Sequence, residues 1–203
     1  MWFCAGKLRG HMYEYNKVIF LDIDGVLQGY SSQERFKHIK EMPALQKELS
    51  EKHNSNYLAY DKYDVAAVYY DWDPHAVSLI KKILTETGAM IVISSDWRCS
   101  GNLQRMVDLF EIHGMGEFVV GMTGYIEYGK STTQRIKSSA YNERTLEILD
   151  YVSENPQIQE FVVIDDLNLS VGLEGHFVHT QYLITDEDCD KSIEILGHKG
   201  QMN

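Results

Sequence analysis

The chain has 203 residues, of which 44% are hydrophobic and 24% charged, and it carries a formal net charge of -11. That length fits one domain, or one domain with a modest insertion, and is enough to bury a substantial core. No stretch reaches the roughly 18 to 20 unbroken apolar residues of a membrane span, and the negative charge opposes unaided binding to a phosphate backbone unless a local basic groove supplies it.

Cys4, Cys99 and Cys189 are odd in number, widely separated and without CxxC spacing, so neither a disulfide framework nor a cysteine zinc site is indicated. Cys99 is read as a buried or incidental thiol, with a reactive thiol near the second candidate site as the alternative. The N-terminus lacks a charged region followed by an apolar core and a small-residue cleavage site. Sec-type export is therefore not indicated and a cytoplasmic location is expected, with other secretion routes left open. Residues 1–16 show no period, and Gly10-His11-Met12 resembles a cloning scar, so this segment is set apart from the domain beginning at residue 17.

That domain opens on Val18-Ile19-Phe20-Leu21, an apolar run that reads as a buried strand and ends in Asp22-Ile23-Asp24-Gly25. Carboxylates at the end of a buried strand need hydrogen bonds, a cation or a reaction to offset their desolvation. The plainer alternative is a turn in which Asp24-Gly25 supplies only turn chemistry. Ser31-Ser32-Gln33-Glu34 suits a helix start, and Phe36, Ile39, Met42, Leu45 and Leu49 recur at helical spacing. One or two helices are predicted there, with Pro43 a bend or break. The tyrosine-rich stretch from Tyr57 to Asp71 is read as the least regular part of the chain. Its aromatics either pack with their hydroxyls in water or line a surface facing a substrate. Residues 28–71 thus form an insertion after the first strand, too short for a separate domain.

Asp73-Pro74 predicts a cap and first helical position, with Val77, Ile80, Ile83 and Leu84 as the apolar face up to Gly88. Ala89-Met90-Ile91-Val92-Ile93 is a second buried strand, ending in Ser94-Ser95-Asp96-Trp97-Arg98. Strand, helix, strand is the pattern of a parallel βαβ unit. Another helix carries Leu103, Met106, Val107 and Phe110 and closes at Gly114 to Gly116; Phe118-Val119-Val120 is a short strand, and Met122 to Lys137 a Gly-, Ser- and Thr-rich loop. A helix from about Tyr141 to Ser153 ends at Asn155-Pro156. Phe161-Val162-Val163-Ile164 is the third strong strand and ends in Asp165-Asp166; a short strand at His176 to His179 and a helix from Asp186 to Leu196 complete the alternation. His113, His176 and His179 lack the spacing of a zinc triad and are read as surface or loop residues.

The fold class is therefore α/β, a Rossmann-like three-layer parallel sheet with a small helical or irregular insertion after the first strand. Three buried strands deliver Asp22 and Asp24, Ser94 and Ser95, and Asp165 and Asp166 to one edge, where open α/β sheets bind ligands. Four carboxylates gathered there repel one another unless a hard divalent cation, with magnesium the first choice, binds their oxygens.

These motifs resemble those of the haloacid dehalogenase (HAD) superfamily, chiefly its phosphatases. The strand followed by DxDGx matches Asp22-Ile23-Asp24-Gly25-Val26, the strand ending in Ser or Thr matches Ile93-Ser94, and the strand followed by paired acids matches Asp165-Asp166. The resemblance covers roughly residues 17–197, so that 17–203 is expected to form one HAD-like domain. The combination of Ser94-Ser95-Asp96-Trp97-Arg98 with the later acid pair is similar to a subgroup of HAD domains, some found in RNA-repair proteins.

The resemblance implies that Asp22 is a nucleophile forming an aspartyl-phosphate. Asp24 is then the acid and base, its main-chain carbonyl also reaching the metal, and Gly25 gives the chain room to turn beside the phosphate. It also implies that Ser94 donates to a phosphoryl oxygen, with Ser95 the alternative, and that Asp166 binds magnesium directly, with Asp165 a further ligand or a supporting group. The implied metal set is Asp22, Asp24, Asp165 and Asp166. The third-motif cation is Arg144, with Lys137 and Lys130 as competitors. Arg98 is a candidate to hold a substrate anion, and Trp97 either stacks on substrate or packs under its helix. The leading expectation is a magnesium-dependent phosphomonoesterase acting on a phosphoprotein, with the tyrosine-rich insertion suited to phosphotyrosine. The alternatives are a polynucleotide-end phosphatase and a non-catalytic module that binds a phosphorylated partner.

Overall fold

The structure, a computed structural model, describes residues 15–100, 102–125 and 142–197. Five parallel strands, β1 (Lys17–Leu21), β2 (Met90–Ile93), β3 (Val119–Met122), β4 (Glu160–Asp165) and β5 (Phe177–His179), form one sheet in the order β3-β2-β1-β4-β5. Six α-helices are described: α1 (Met42–His53), α2 (Lys62–Tyr70), α3 (Pro74–Thr87), α4 (Leu103–Glu111), α5 (Glu143–Glu154) and α6 (Asp186–Gly197). None of the described helices is long and apolar enough to cross a membrane.

The central strands are apolar throughout because both faces are covered. Side chains alternate between those faces. Ile19, Leu21, Ile91, Ile93, Val162 and Ile164 enter a core shared with the insertion helices, α3, α4 and α6. Val18, Phe20, Val92 and Val163 enter the opposite one, with Ile148 of α5 and Leu169 and Leu173 from the loop after β4. Phe20 meets Tyr151 and Phe161 edge-on at 5.6 and 5.7 Å, filling that second layer. This is the three-layer α/β architecture expected.

Helix starts follow their capping residues. Asp73 accepts from the Ala76 amide with Pro74 in the first turn of α3, whose other end is Gly88 at φ 69°. Asn142 accepts from the Arg144 amide and thereby sets the start of α5. Two expectations need correction. Pro43 does not interrupt a helix but stands in the first turn of α1, where its missing N–H costs nothing, and a separate 3-10 turn at Glu34–His38 precedes it. Phe36 and Ile39 are accordingly exposed.

The stretch from Tyr57 to Asp71 is also more regular than predicted. After a 3-10 turn at Tyr57–Ala59, Asp61 caps α2, and four consecutive residues, Val65-Ala66-Ala67-Val68, are buried. A helix buried around most of its circumference has no polar face to produce a period, so its pattern was unreadable. The loop expected at Met122 to Lys137 lies mostly outside the described residues, as do residues 1–14 and with them Cys4.

Candidate active site

Strand register builds the site. Leu21 pairs with Ile93 on one side and Ile164 on the other. The next residues along, Asp22, Ser94 and Asp165, therefore stand in one row across three strands. The row is continued by main-chain hydrogen bonds from Asp22 N to Ile164 O (3.0 Å) and Ser94 N to Leu21 O (2.9 Å). Because Leu21, Ile93 and Ile164 face the larger core, this row faces the other side, which α5 covers.

From the first turn of α5, Arg144 reaches into the row. Its Nη1 lies 2.9 Å from Asp22 Oδ2 and 3.0 Å from Asp165 Oδ2, and its Nη2 lies 3.2 Å from Asp96 Oδ1. Asp22 and Asp165 are buried, and Arg144 is only 9% exposed. Lys130 and Lys137, its competitors from the sequence, lie outside the described residues. Asp165 Oδ1 accepts from the Leu167 amide at 2.8 Å, so both oxygens of this carboxylate are engaged. Asp166 sits against Gly25. Gly25 has φ 75°, and a Cβ there would stand 2.7 Å from the Asp166 carboxyl, so only glycine fits this approach.

One ligand oxygen from each of Asp22, Asp165 and Asp166 can be chosen so that all lie within 4.8 Å of one another. Burial pushes the Asp22 carboxyl up to about 7; the Asp165 charge adds to the rise, and Arg144 and the Ser95 hydroxyl oppose it. Desolvation also raises Asp165 and Asp166. Such a group of acids is what a hard cation stabilises, and its all-oxygen donor set suits one.

Asp24 is held separately. Gln28 Nε2 donates to Oδ1 at 2.6 Å and the Trp97 indole N–H donates to Oδ2 at 2.9 Å, so the carboxylate is oriented from both sides and stands outside the three-acid cluster. The participation expected of Asp24 in metal binding was through its main-chain carbonyl. Trp97 neither stacks in the open nor merely packs: it orients an acid.

The serines divide. Ser95 opens the 3-10 turn Asp96–Ser100, its carbonyl accepting from the Arg98 amide at 3.1 Å. Ser94 is wholly buried, and its Oγ has no hydrogen-bond partner among the described residues. An unpartnered buried hydroxyl beside Asp22 has the chemistry to meet an anion. Arg98, expected to face substrate, is turned inward: it pairs with Glu147 of α5, donates to Ser95 O at 2.8 Å and lies 4.4 Å from the Tyr125 ring centroid. Its charge thereby joins α5 to the turn after β2.

Sequence reasoning missed Gln28, Thr123 and Thr180. Thr123 N donates to Ile93 O at 3.0 Å, placing it beside Ser94 with its own hydroxyl buried and unpartnered among the described residues. Thr180 Oγ1 donates to Gly25 O at 2.7 Å, bracing the turn at Asp24-Gly25. The rule that polar residues gather at strand ends, applied to β3 and β5 as it was to the stronger strands, finds both threonines. The three histidines lie in loops or at the surface as expected: His113 and His176 are partly buried loop residues, stacking on Trp72 at 5.3 Å and on Phe161 at 4.2 Å, and His179 is exposed.

The model of the HAD domain in Swiss Army Knife RNA repair proteins matches residues 18–188. The chain belongs to this family of the HAD superfamily. HAD-superfamily domains are generally phosphohydrolases. Neither the curated proteins nor the solved structures contain a match. Membership indicates an RNA-repair context and gives no support to a phosphoprotein substrate, and three of the five insertion tyrosines agree, while Tyr63 and Tyr69 are exposed. Tyr57 is fully buried with its hydroxyl on Asp108 O, Tyr60 donates to the Asp108 carboxylate, and Tyr70 stacks on His38 at 4.2 Å, so these three are committed to packing.

Proposed function

We propose that this HAD domain is a magnesium-dependent phosphomonoesterase that removes a terminal phosphate from a polynucleotide. The observation that carries the reading is the buried row of Asp22, Ser94 and Asp165 with Arg144 across it, in a chain whose family is that of RNA-repair HAD domains.

The chemistry follows from the positions. Asp22 attacks phosphorus, forming an aspartyl-phosphate while the bond to the departing oxygen breaks. Asp24, aimed by Gln28 and Trp97, gives that oxygen a proton. In the second step Asp24 takes a proton from water, whose oxygen attacks the same phosphorus and restores Asp22. Arg144 offsets the charge of the phosphoryl group and nucleophile, and the Ser94 hydroxyl donates to a phosphoryl oxygen. Asp166 and Asp22 would hold magnesium, with Asp165 supporting from its fixed position. When bound, the cation supplies further neutralisation of the negative charge in the row.

The test is hydrolysis of 3′- and 5′-phosphorylated oligoribonucleotides, phosphotyrosine and phosphoserine peptides and an aryl phosphate, with magnesium and with chelator. We expect the polynucleotide ends to have the highest kcat/KM and chelator to abolish turnover. A preference for phosphopeptides, or equal rates in chelator, overturns the respective part of the reading.

A further inference from the structure

A nucleic-acid substrate poses a problem for this chain, because its net charge is -11 and the described arginines are already engaged. Each described arginine is bonded to a carboxylate: Arg35 to Asp71, Arg98 to Glu147, Arg105 to Asp64, and Arg144 to Asp22, Asp165 and Asp96. Among the described residues no arginine is left for a further substrate phosphate, and stacking of bases on aromatic rings is a contribution to affinity for a polynucleotide end that does not depend on charge.

The described surface carries such rings on the loops that follow the strands at the acid-bearing edge. Among the exposed large apolar side chains, Tyr30, Tyr125, Leu167 and Tyr182 all lie on loops leaving the edge of the sheet that bears the acids. Tyr30, 64% exposed, follows Gln28, the residue that grips Asp24, by two positions. Tyr182, 45% exposed, follows Thr180, the residue that grips Gly25 O, by two positions. The two rings meet edge to face with centroids 6.5 Å apart. Tyr182 is fixed in place: its hydroxyl is 2.6 Å from Ser31 Oγ, and its ring rests on Gly29, where any side chain would collide with it. Ile184 N, donating to Val26 O at 3.1 Å, ties the second loop to the first. The pair is thus a braced aromatic platform on the two loops that hold the Asp24-Gly25 turn.

We propose that Tyr30, supported by Tyr182, is the stacking platform for the base of the nucleotide that carries the terminal phosphate. The inference rests on the polynucleotide reading and adds to it the means by which an acidic chain grips such a substrate. Stacking tolerates any base, so the platform selects an unpaired end rather than a sequence. Leu167, next to Asp166 and exposed, borders the same rim.

The test compares oligoribonucleotides ending in a phosphorylated normal nucleotide with the same oligomers ending in a phosphorylated abasic one, in wild type, Tyr30→Ala and Tyr30→Phe. In wild type we expect KM for the abasic end to be roughly tenfold higher, the value of one base on one aromatic ring. Tyr30→Ala removes that discrimination, Tyr30→Phe retains it, and the wild-type preference survives raised salt. Equal KM for the two ends in wild type, or unchanged discrimination in Tyr30→Ala, overturns the platform while leaving end hydrolysis intact. Failure of wild type to hydrolyse either oligomer while it turns over an aryl phosphate overturns the polynucleotide reading itself. A KM rise in Tyr30→Ala confined to phosphotyrosine peptides assigns the platform to a protein substrate and refutes the proposal.

Discussion

Replacing Asp22 by Asn should abolish turnover and, in the absence of metal, make the protein more stable at alkaline pH. Asp22, the proposed nucleophile, is buried, and its carboxyl is pushed from 3.8 up to about 7, with burial and then the Asp165 charge as the causes that raise it. Between those values the folded protein holds a proton that the unfolded chain has released. Stability therefore falls as pH rises through this window and is level above it. The cost of ionising Asp22 is absent below about 3.8 and complete above about 7. Converted directly, the displacement is on the order of 4 kcal/mol. The Asp165 charge supplies part of that displacement and Arg144 opposes it, so we expect a gain of about 2 kcal/mol, or roughly 4–8 °C in Tm for a chain of this size. Thermal unfolding of wild type and Asp22→Asn in chelator at pH 5 and pH 8 measures it. The gain should be larger at pH 8, and saturating magnesium should narrow it by stabilising the wild type. A variant less stable than wild type at pH 8 without metal would show that the Arg144 ion pair outweighs desolvation, and the electrostatic account of the row would be wrong.

Two further substitutions probe the neighbouring groups. Trp97→Phe keeps an aromatic ring, a smaller one, but removes the N–H that orients Asp24. We expect kcat to fall by about 10- to 100-fold on an ester with a poorly departing alkoxide and by less on a nitrophenyl ester, because general acid catalysis matters most for the former. Equal losses on both would assign Trp97 a packing role only. Gly25→Ala forces a side chain into a left-handed conformation and against Asp166. Urea unfolding should show a loss on the order of 1–3 kcal/mol, and isothermal titration a weaker magnesium affinity; unchanged affinity would separate Asp166 from the metal.

The sequence by itself determined the strands and their polar ends. A strand buried on both faces is an uninterrupted apolar run, and the cost of ending it in Asp22, Ser94 or Asp165 is visible from neighbouring residues alone. It also determined the helices with a solvent face and a capping residue, such as α3 from Asp73 to Gly88.

Only the tertiary structure decided how the polar groups are used. The register of Leu21 against Ile93 and Ile164 lines up the row. Arg144 and Arg98 read alike as candidate cations, yet one crosses the row and the other is turned inward to Glu147. Trp97 reaches Asp24 from 73 positions away, and Thr180 reaches Gly25 from 155. Tyr57 became core while Tyr30 and Tyr182 were left at the rim. Partners so far apart along the chain meet because the parallel sheet brings every strand end to one edge, and composition or local period carries no record of which side chains then face one another.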